Sequence, residues 1–244
     1  MTTLNDLSDE QTRMRQRKMM LALRRTGHGS YIDGELPEIR LHLAFCQWIA
    51  RDLRLDAHRR AKLLLAESRD DEWLSFVTWV PADATSDSPL PWGPGHRVGK
   101  FALAAAQVQA SAIVGATEID YDLLSAVWQE SVHAILRHPR RLSRPQLSSQ
   151  LAAALCGSNQ RSGRIYRPLV VKPVTNLDGA LSYVYKGFAV LSTTQRSTWR
   201  DPSGGARAVK QALRKPQLQQ LLAQTARDGV ADRALIGRMT EAAR

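Results

Sequence analysis

The chain has 244 residues, of which 43% are hydrophobic and 23% charged, enough for one or two domains with a real core and inconsistent with wholesale disorder. Lys and Arg number 34 against 23 Asp and Glu, and the resulting charge of +11 points to a polyanionic partner, nucleic acid before an anionic membrane surface. No run approaches the roughly 18 to 20 apolar residues of a membrane span, and the polar start MTTLNDLSDEQTRMR has no secretory apolar region, so a cytoplasmic protein with no membrane partner is expected.

Residues 8–25 and about 38–68 read as helices. Ser8 is a plausible N-cap for the first, and Leu41, Phe45, Trp48, Ile49 and Leu53 recur at helical spacing in the second, after Pro37. At residue 73 the period changes: WLSFVTWV is aromatic and β-branched and stops at Pro81, which reads as a strand followed by a Pro/Gly/Ser-rich loop. RVGKFALAAAQVQASA is Ala-rich and helical, and AIVGATEI and SVHAIL are the next two strands. LSRPQLSSQLAAALC gives a helix with Ser143 as N-cap and Leu147, Leu151 and Leu155 one turn apart, and RIYRPLVVKPV supplies a fourth strand ending at Pro173.

The order strand, helix, strand, strand, helix, strand is that of an α+β split-βαβ domain of the RRM or ferredoxin-like kind, an antiparallel four-stranded sheet with two helices on one face. The predicted organisation is a helical N-terminal region over 1–70, the sheet domain over 71–200 and a basic, helical, peripheral tail over 201–244. Cys46 and Cys156 lie far apart in apolar settings and match no zinc-ligand spacing, so both read as buried free thiols. Charge is uneven: residues 71–130 hold two basic and eight acidic side chains, and residues 131–200 hold eleven basic and one acidic. Arg137, Arg140, Arg141, Arg144, Arg161, Arg164 and Arg167 form the basic face expected to meet nucleic-acid phosphates.

Thr175 and Asp178 stand at capping-box spacing just after Pro173, so a helix should start at TNLDGALSYVYKGF. Leu177, Ala180, Leu181, Val184 and Phe188 make its apolar stripe, with Tyr185 on the flank, while Tyr183 and Lys186 fall on the far side, about 60° apart at roughly 100° per residue. That pair is either an ordinary solvated face or a phenol nucleophile beside a cation that neutralises developing negative charge. Glu118 and His133, on adjacent predicted strands, are either ordinary strand residues or a carboxylate and imidazole able to hold Mg²⁺ or Mn²⁺.

The succession LSFVTWV, IVGATEI, ESVHAIL and VVKPVTNLDGALSYVYK, over roughly residues 73–190, resembles the HUH (His-hydrophobic-His) replication initiators of rolling-circle plasmids and phages. The resemblance implies a metal-dependent endonuclease and strand transferase in which Tyr183 cleaves single-stranded or extruded origin DNA. The enzyme would remain on the 5′ phosphate, leaving a 3′ hydroxyl for priming, with host replication proteins as further partners. It assigns Lys186 as helper of the nucleophile, and Glu118 and His133 as ligands of Mg²⁺ or Mn²⁺. Ser131 stands where the family has its first histidine, and a hydroxyl is a poorer ligand than an imidazole. The alternative is a non-catalytic nucleic-acid-binding module on the same fold.

Overall fold

The computed structural model describes residues 8–27, 47–67, 70–81, 85–86, 94–123, 126–156, 168–188, 194–200, 206–228 and 234–239. Cys46, Arg161, Arg164 and Arg167 lie outside them. Among the described residues the chain forms six α-helices and eight strands in a mixed α+β architecture. No helix among them is long and apolar enough to cross a membrane.

The centre is an antiparallel run of five strands. In spatial order these are β5 (Leu169–Pro173), β1 (Glu72–Trp79), β4 (Val127–Pro139), β3 (Ala112–Asp122) and β8 (Ala234–Arg238). The short β2 (Thr85–Ser86) pairs with β4. The hairpin of β6 (Thr194–Arg200) and β7 (Ala206–Ala212) continues the sheet through a brief parallel contact of β6 with the end of β3.

β1 alternates, with Ser75, Val77 and Trp79 buried and Leu74, Phe76 and Thr78 half-buried between them. β3 and the middle of β4 are buried nearly throughout, the signature of strands covered on both faces. On one face, Val77, Trp79, Ile113, Val132, Ala134 and Leu136 pack under α3 (Pro94–Gln107) and α4 (Arg144–Cys156), through Phe101, Leu147 and Leu151 among others. On the other, Val114, Ala116 and Ile135 pack under α2 (Gln47–Ala66) and α5 (Leu177–Val184), which contribute Ala61, Leu65, Leu181 and Val184. The expectation of helices on one face is therefore corrected: apolar side chains point from the sheet to both sides, and both sides are covered.

The predicted division at residues 70 and 200 does not separate the packing either. α2, from the N-terminal region, lies on the sheet. The segment after residue 200 is not a peripheral helix but supplies β7, α6 (Lys215–Asp228) and β8, and α6 packs Leu218, Leu221 and Leu222 against Met19 and Leu23 of α1 (Asp9–Thr26). Ser8 caps α1 as its sequence predicts, accepting a hydrogen bond from the Gln11 amide, and Gly27 closes the helix in the left-handed region at φ 85°. Cys156 is a half-buried free thiol, pushed up by burial.

Arg137 corrects a second expectation. It is 5% exposed and cannot form part of a DNA-facing surface. Its guanidinium pairs with Glu72 at 3.1 Å and donates to Ser111 Oγ at 2.9 Å, to the Leu64 carbonyl at 3.1 Å and to the Glu67 carbonyl, fastening the end of α2 to the sheet. Arg137→Ala leaves the Glu72 carboxylate and these part-buried acceptors without their donor, so urea denaturation should show a loss of about 3 kcal/mol. The same change at exposed Arg141 should stay within about 0.5 kcal/mol.

Candidate active site

Strand parity puts Phe76, Thr78, Glu118, Ser131 and His133 on the sheet face that carries α5. The register sets Thr78 opposite His133, and Glu118 opposite Ser131, so His133 lies diagonally across from Glu118. His133 Nε2 lies 2.7 Å from Glu118 Oε2, and His133 Nδ1 lies 3.0 Å from Thr78 Oγ1. Both members of the acid–imidazole pair are almost fully buried, at 6% and 5% exposure.

The helical segment brings its own charge to this pair. α5 is short, and a 3₁₀ turn, Tyr185–Phe188, follows it. Lys186, in that turn, places Nζ 2.7 Å from Glu118 Oε1 and 4.0 Å from the centroid of the Tyr183 ring. Tyr183 is half-buried and stands edge-on to the His133 ring, with centroids 4.9 Å apart, while Phe76 stacks on His133 at 6.0 Å and meets Tyr183 edge-on at 5.7 Å. Tyr183, Lys186, Glu118 and His133 thus meet at one place. Tyr185 points the other way, fully buried among Leu181, Val184 and the strand alanines, and burial raises its pKa above the ordinary tyrosine value.

No protein-family model, curated protein or solved structure matches this chain. What the site can do is set by its own geometry. Burial on its own pushes Glu118 up. The hydrogen bond and charge of His133, then the Lys186 ammonium, outweigh burial and bring Glu118 down to about 2. Burial pulls Lys186 down, but the charge and hydrogen bond of Glu118, followed by those of Tyr183, more than reverse this and raise it above the ordinary lysine value. A cation fixed by Glu118 therefore stands over the Tyr183 ring.

Ser131 Oγ lies 3.4 Å from the same imidazole nitrogen that faces Glu118, so a carboxylate, an imidazole and a hydroxyl converge. No cluster of three or more His, Cys, Asp or Glu suited to a metal ion occurs among the described residues. Of these three groups only Glu118 is a strong ligand for a hard ion such as Mg²⁺, and it is already bonded to His133, so they do not make a complete protein cage. Beside Tyr183, a cavity of about 420 Å³ runs along the β5 edge, lined by Phe76, Thr78, Val170, Lys172, Asn176 and Tyr183.

The helix that carries Tyr183 is held from behind by α2, which sequence patterns did not connect to it. Arg54 donates to the Ser182 carbonyl at 2.9 Å, and His58 and Lys62 reach the Asp178 carboxylate at 3.1 Å and 3.0 Å. The N-cap is Asn176, accepting from the Gly179 amide at 2.9 Å, rather than the expected Thr175, so Asp178 is free to take these distant partners. Of the basic residues expected to meet DNA, Arg140, Arg141 and Arg144 are exposed, where β4 ends and α4 begins.

Because Glu118 in the folded protein lies below its ordinary 4.5, the unfolded chain binds more protons in the interval between the two values. Its stabilisation is full above about pH 4.5 and is lost as the pH falls toward 2. Urea melts over that interval should fall more steeply with acid for the wild type than for Glu118→Gln, which should in turn be the less stable protein at pH 7.

Proposed function

We propose that this chain is a DNA strand nuclease and transferase of the HUH replication-initiator type, with Tyr183 as nucleophile. The half-buried Tyr183 against the Lys186 ammonium, above a carboxylate–imidazole pair on the sheet, carries this reading. The strand order β5-β1-β4-β3, with α3 between β1 and β3 and α4 between β4 and β5, supports the split-βαβ fold that goes with it. The excess of basic residues supports DNA as the partner, and replication of DNA would be a cytoplasmic task.

In the cleavage step the Tyr183 oxygen bonds to phosphorus as the bond to the 3′ oxygen breaks. The phenol proton ends, through solvent, on the departing 3′ oxygen, so one phosphodiester replaces another and no nucleotide or oxidant is consumed. Lys186 neutralises charge on the attacking oxygen, and Glu118 holds Lys186 in place. His133 and Phe76 confine the phenol ring, and Thr78 fixes the imidazole through Nδ1. Mg²⁺ or Mn²⁺ would be held by Glu118 and His133, beside the Ser131 hydroxyl, and would supply Lewis-acid polarisation of the phosphate. The cavity along β5, with Lys172 on its rim, is the place for the nucleotide next to the scissile phosphate.

One observation favours a second reading, a nucleic-acid-binding module that does not cut. Both oxygens of Glu118 already have partners in His133 and Lys186, and a serine stands in place of a first histidine, so the cluster is electrostatically closed without an ion.

Denaturing electrophoresis with a labelled pool of random single-stranded oligonucleotides and Mg²⁺ or Mn²⁺ separates the two. The wild type and Tyr185→Phe should give a covalent adduct and Tyr183→Phe none, at unchanged DNA affinity. An adduct that survives Tyr183→Phe and is lost in Tyr185→Phe reverses the assignment, and no adduct from the wild type favours the binding module. In either reading, affinity should fall at least tenfold between about 50 and 200 mM salt, because basic side chains release the counterions of the phosphates they meet.

A further inference from the structure

The opposite face of the sheet carries a second site that the tyrosine centre does not use. Trp73, at the start of β1, is 46% exposed, although the next residues of its row, Ser75, Val77 and Trp79, are buried. Two guanidinium groups flank its ring, Arg140 at 5.4 Å and Arg144 at 5.9 Å from the centroid. Arg140 is set in position by the chain itself: its amide donates to the Asp71 carbonyl at 2.7 Å and its Nε to the Glu72 carbonyl at 3.2 Å. Beneath, His138 is opposite Trp73 in the ladder and hydrogen-bonds Ser75 at 2.9 Å and the Pro139 carbonyl at 3.2 Å. Burial lowers its pKa, so its ring adds no charge at neutral pH.

These residues line a cavity of about 580 Å³, with Leu142, Ser148 and Val171 as its apolar and hydroxyl walls. It lies at the N-terminal end of α4, whose first turn holds no acidic residue. A nucleotide fits a cavity of this size, and its two halves fit the two chemistries on the walls: a flat base on the indole and a phosphate on the arginines.

We propose that this is a second binding site for single-stranded DNA, in which an unpaired base stacks on Trp73 and the adjoining phosphates pair with Arg140 and Arg144. A duplex keeps its bases stacked inside and offers Trp73 nothing, so the site selects single strands. Trp73 is five residues along β1 from Thr78 and on the other face, roughly 17 Å of strand. The nucleotide bound here is therefore not the one facing Tyr183, and the site holds a strand at a distance from the reacting phosphate. The inference rests on DNA as the partner but not on cleavage.

Fluorescence anisotropy with a labelled mixed-sequence 20-nucleotide strand, alone and annealed to its complement, tests it in the full chain. Trp73→Ala should weaken single-strand binding about tenfold while duplex binding changes less than twofold, and Trp73→Phe should recover most of the loss. Arg140→Ala with Arg144→Ala should lower the slope of log affinity against log salt by about 1 to 2. Unchanged single-strand affinity in Trp73→Ala, or equal losses for single strand and duplex, overturns the proposal. Trp73 is half in solvent, so an unaltered urea midpoint in Trp73→Ala verifies that folding is not the cause of a loss. Failure of the tyrosine chemistry is read separately, as absence of the adduct from a wild type whose Trp73 dependence is intact.

Discussion

The Glu118 carboxylate, buried on the sheet and shared between His133 and Lys186, is the constraint around which the site is arranged. An isolated carboxylate at this depth would lose its hydration with nothing to replace it, and would take up a proton instead. With an imidazole on one oxygen and an ammonium on the other, it stays ionised. Each partner comes from a different element: His133 from the adjoining strand, Lys186 from the turn after α5. The carboxylate thus joins the helical layer to the sheet at one point, and Tyr183, three residues before Lys186, is carried to the imidazole by the same link. Such pairs contribute little net stability once desolvation is counted, but removal of one partner costs much, so they fix an arrangement rather than strengthen it.

Which tyrosine faces the charges follows from local geometry. In a 3₁₀ turn residues three apart eclipse, and the transition from α5 into such a turn at Tyr185 sets Lys186 above the Tyr183 ring. Tyr185 is directed into the alanine-rich layer between α2 and the strands, where small side chains at Ala57, Ala61, Ala112 and Ala116 leave room for an aromatic ring. The α2 contacts through Arg54, His58 and Lys62 support α5 from its neighbour on the same sheet face. Both sheet faces are then occupied for different purposes: α3 and α4 close one with an apolar core, and the other divides between core and charge cluster.

Local pattern made the sheet legible. The aromatic and β-branched runs of WLSFVTWV, IVGATEI and SVHAIL mark β1, β3 and β4, and helical spacing alone separates Tyr183 from Tyr185. Long-range partners were not legible. Arg137 belongs by sequence to a basic run, yet Glu72 and carbonyls more than 65 positions away turn it inward. Asp178 looked like half of a capping box because its partners, His58 and Lys62, lie more than a hundred residues earlier. β8 is five residues of modest β-propensity and becomes a strand because β3 offers an open edge. Trp73 reads in the sequence only as the first residue of a strand. It stays exposed beside Arg140 and Arg144 at the start of α4, a tertiary placement that the strand's own sequence does not encode.

If the Glu118-anchored turn makes Tyr183 the nucleophile, peptide mapping by mass spectrometry after reaction with random single-stranded DNA will locate the nucleotide on it. The expected result is one modified peptide, spanning residues 173–186, with a 5′-linked nucleotide on Tyr183. A nucleotide on Tyr185 or on any other residue, or an unmodified peptide throughout, would contradict it.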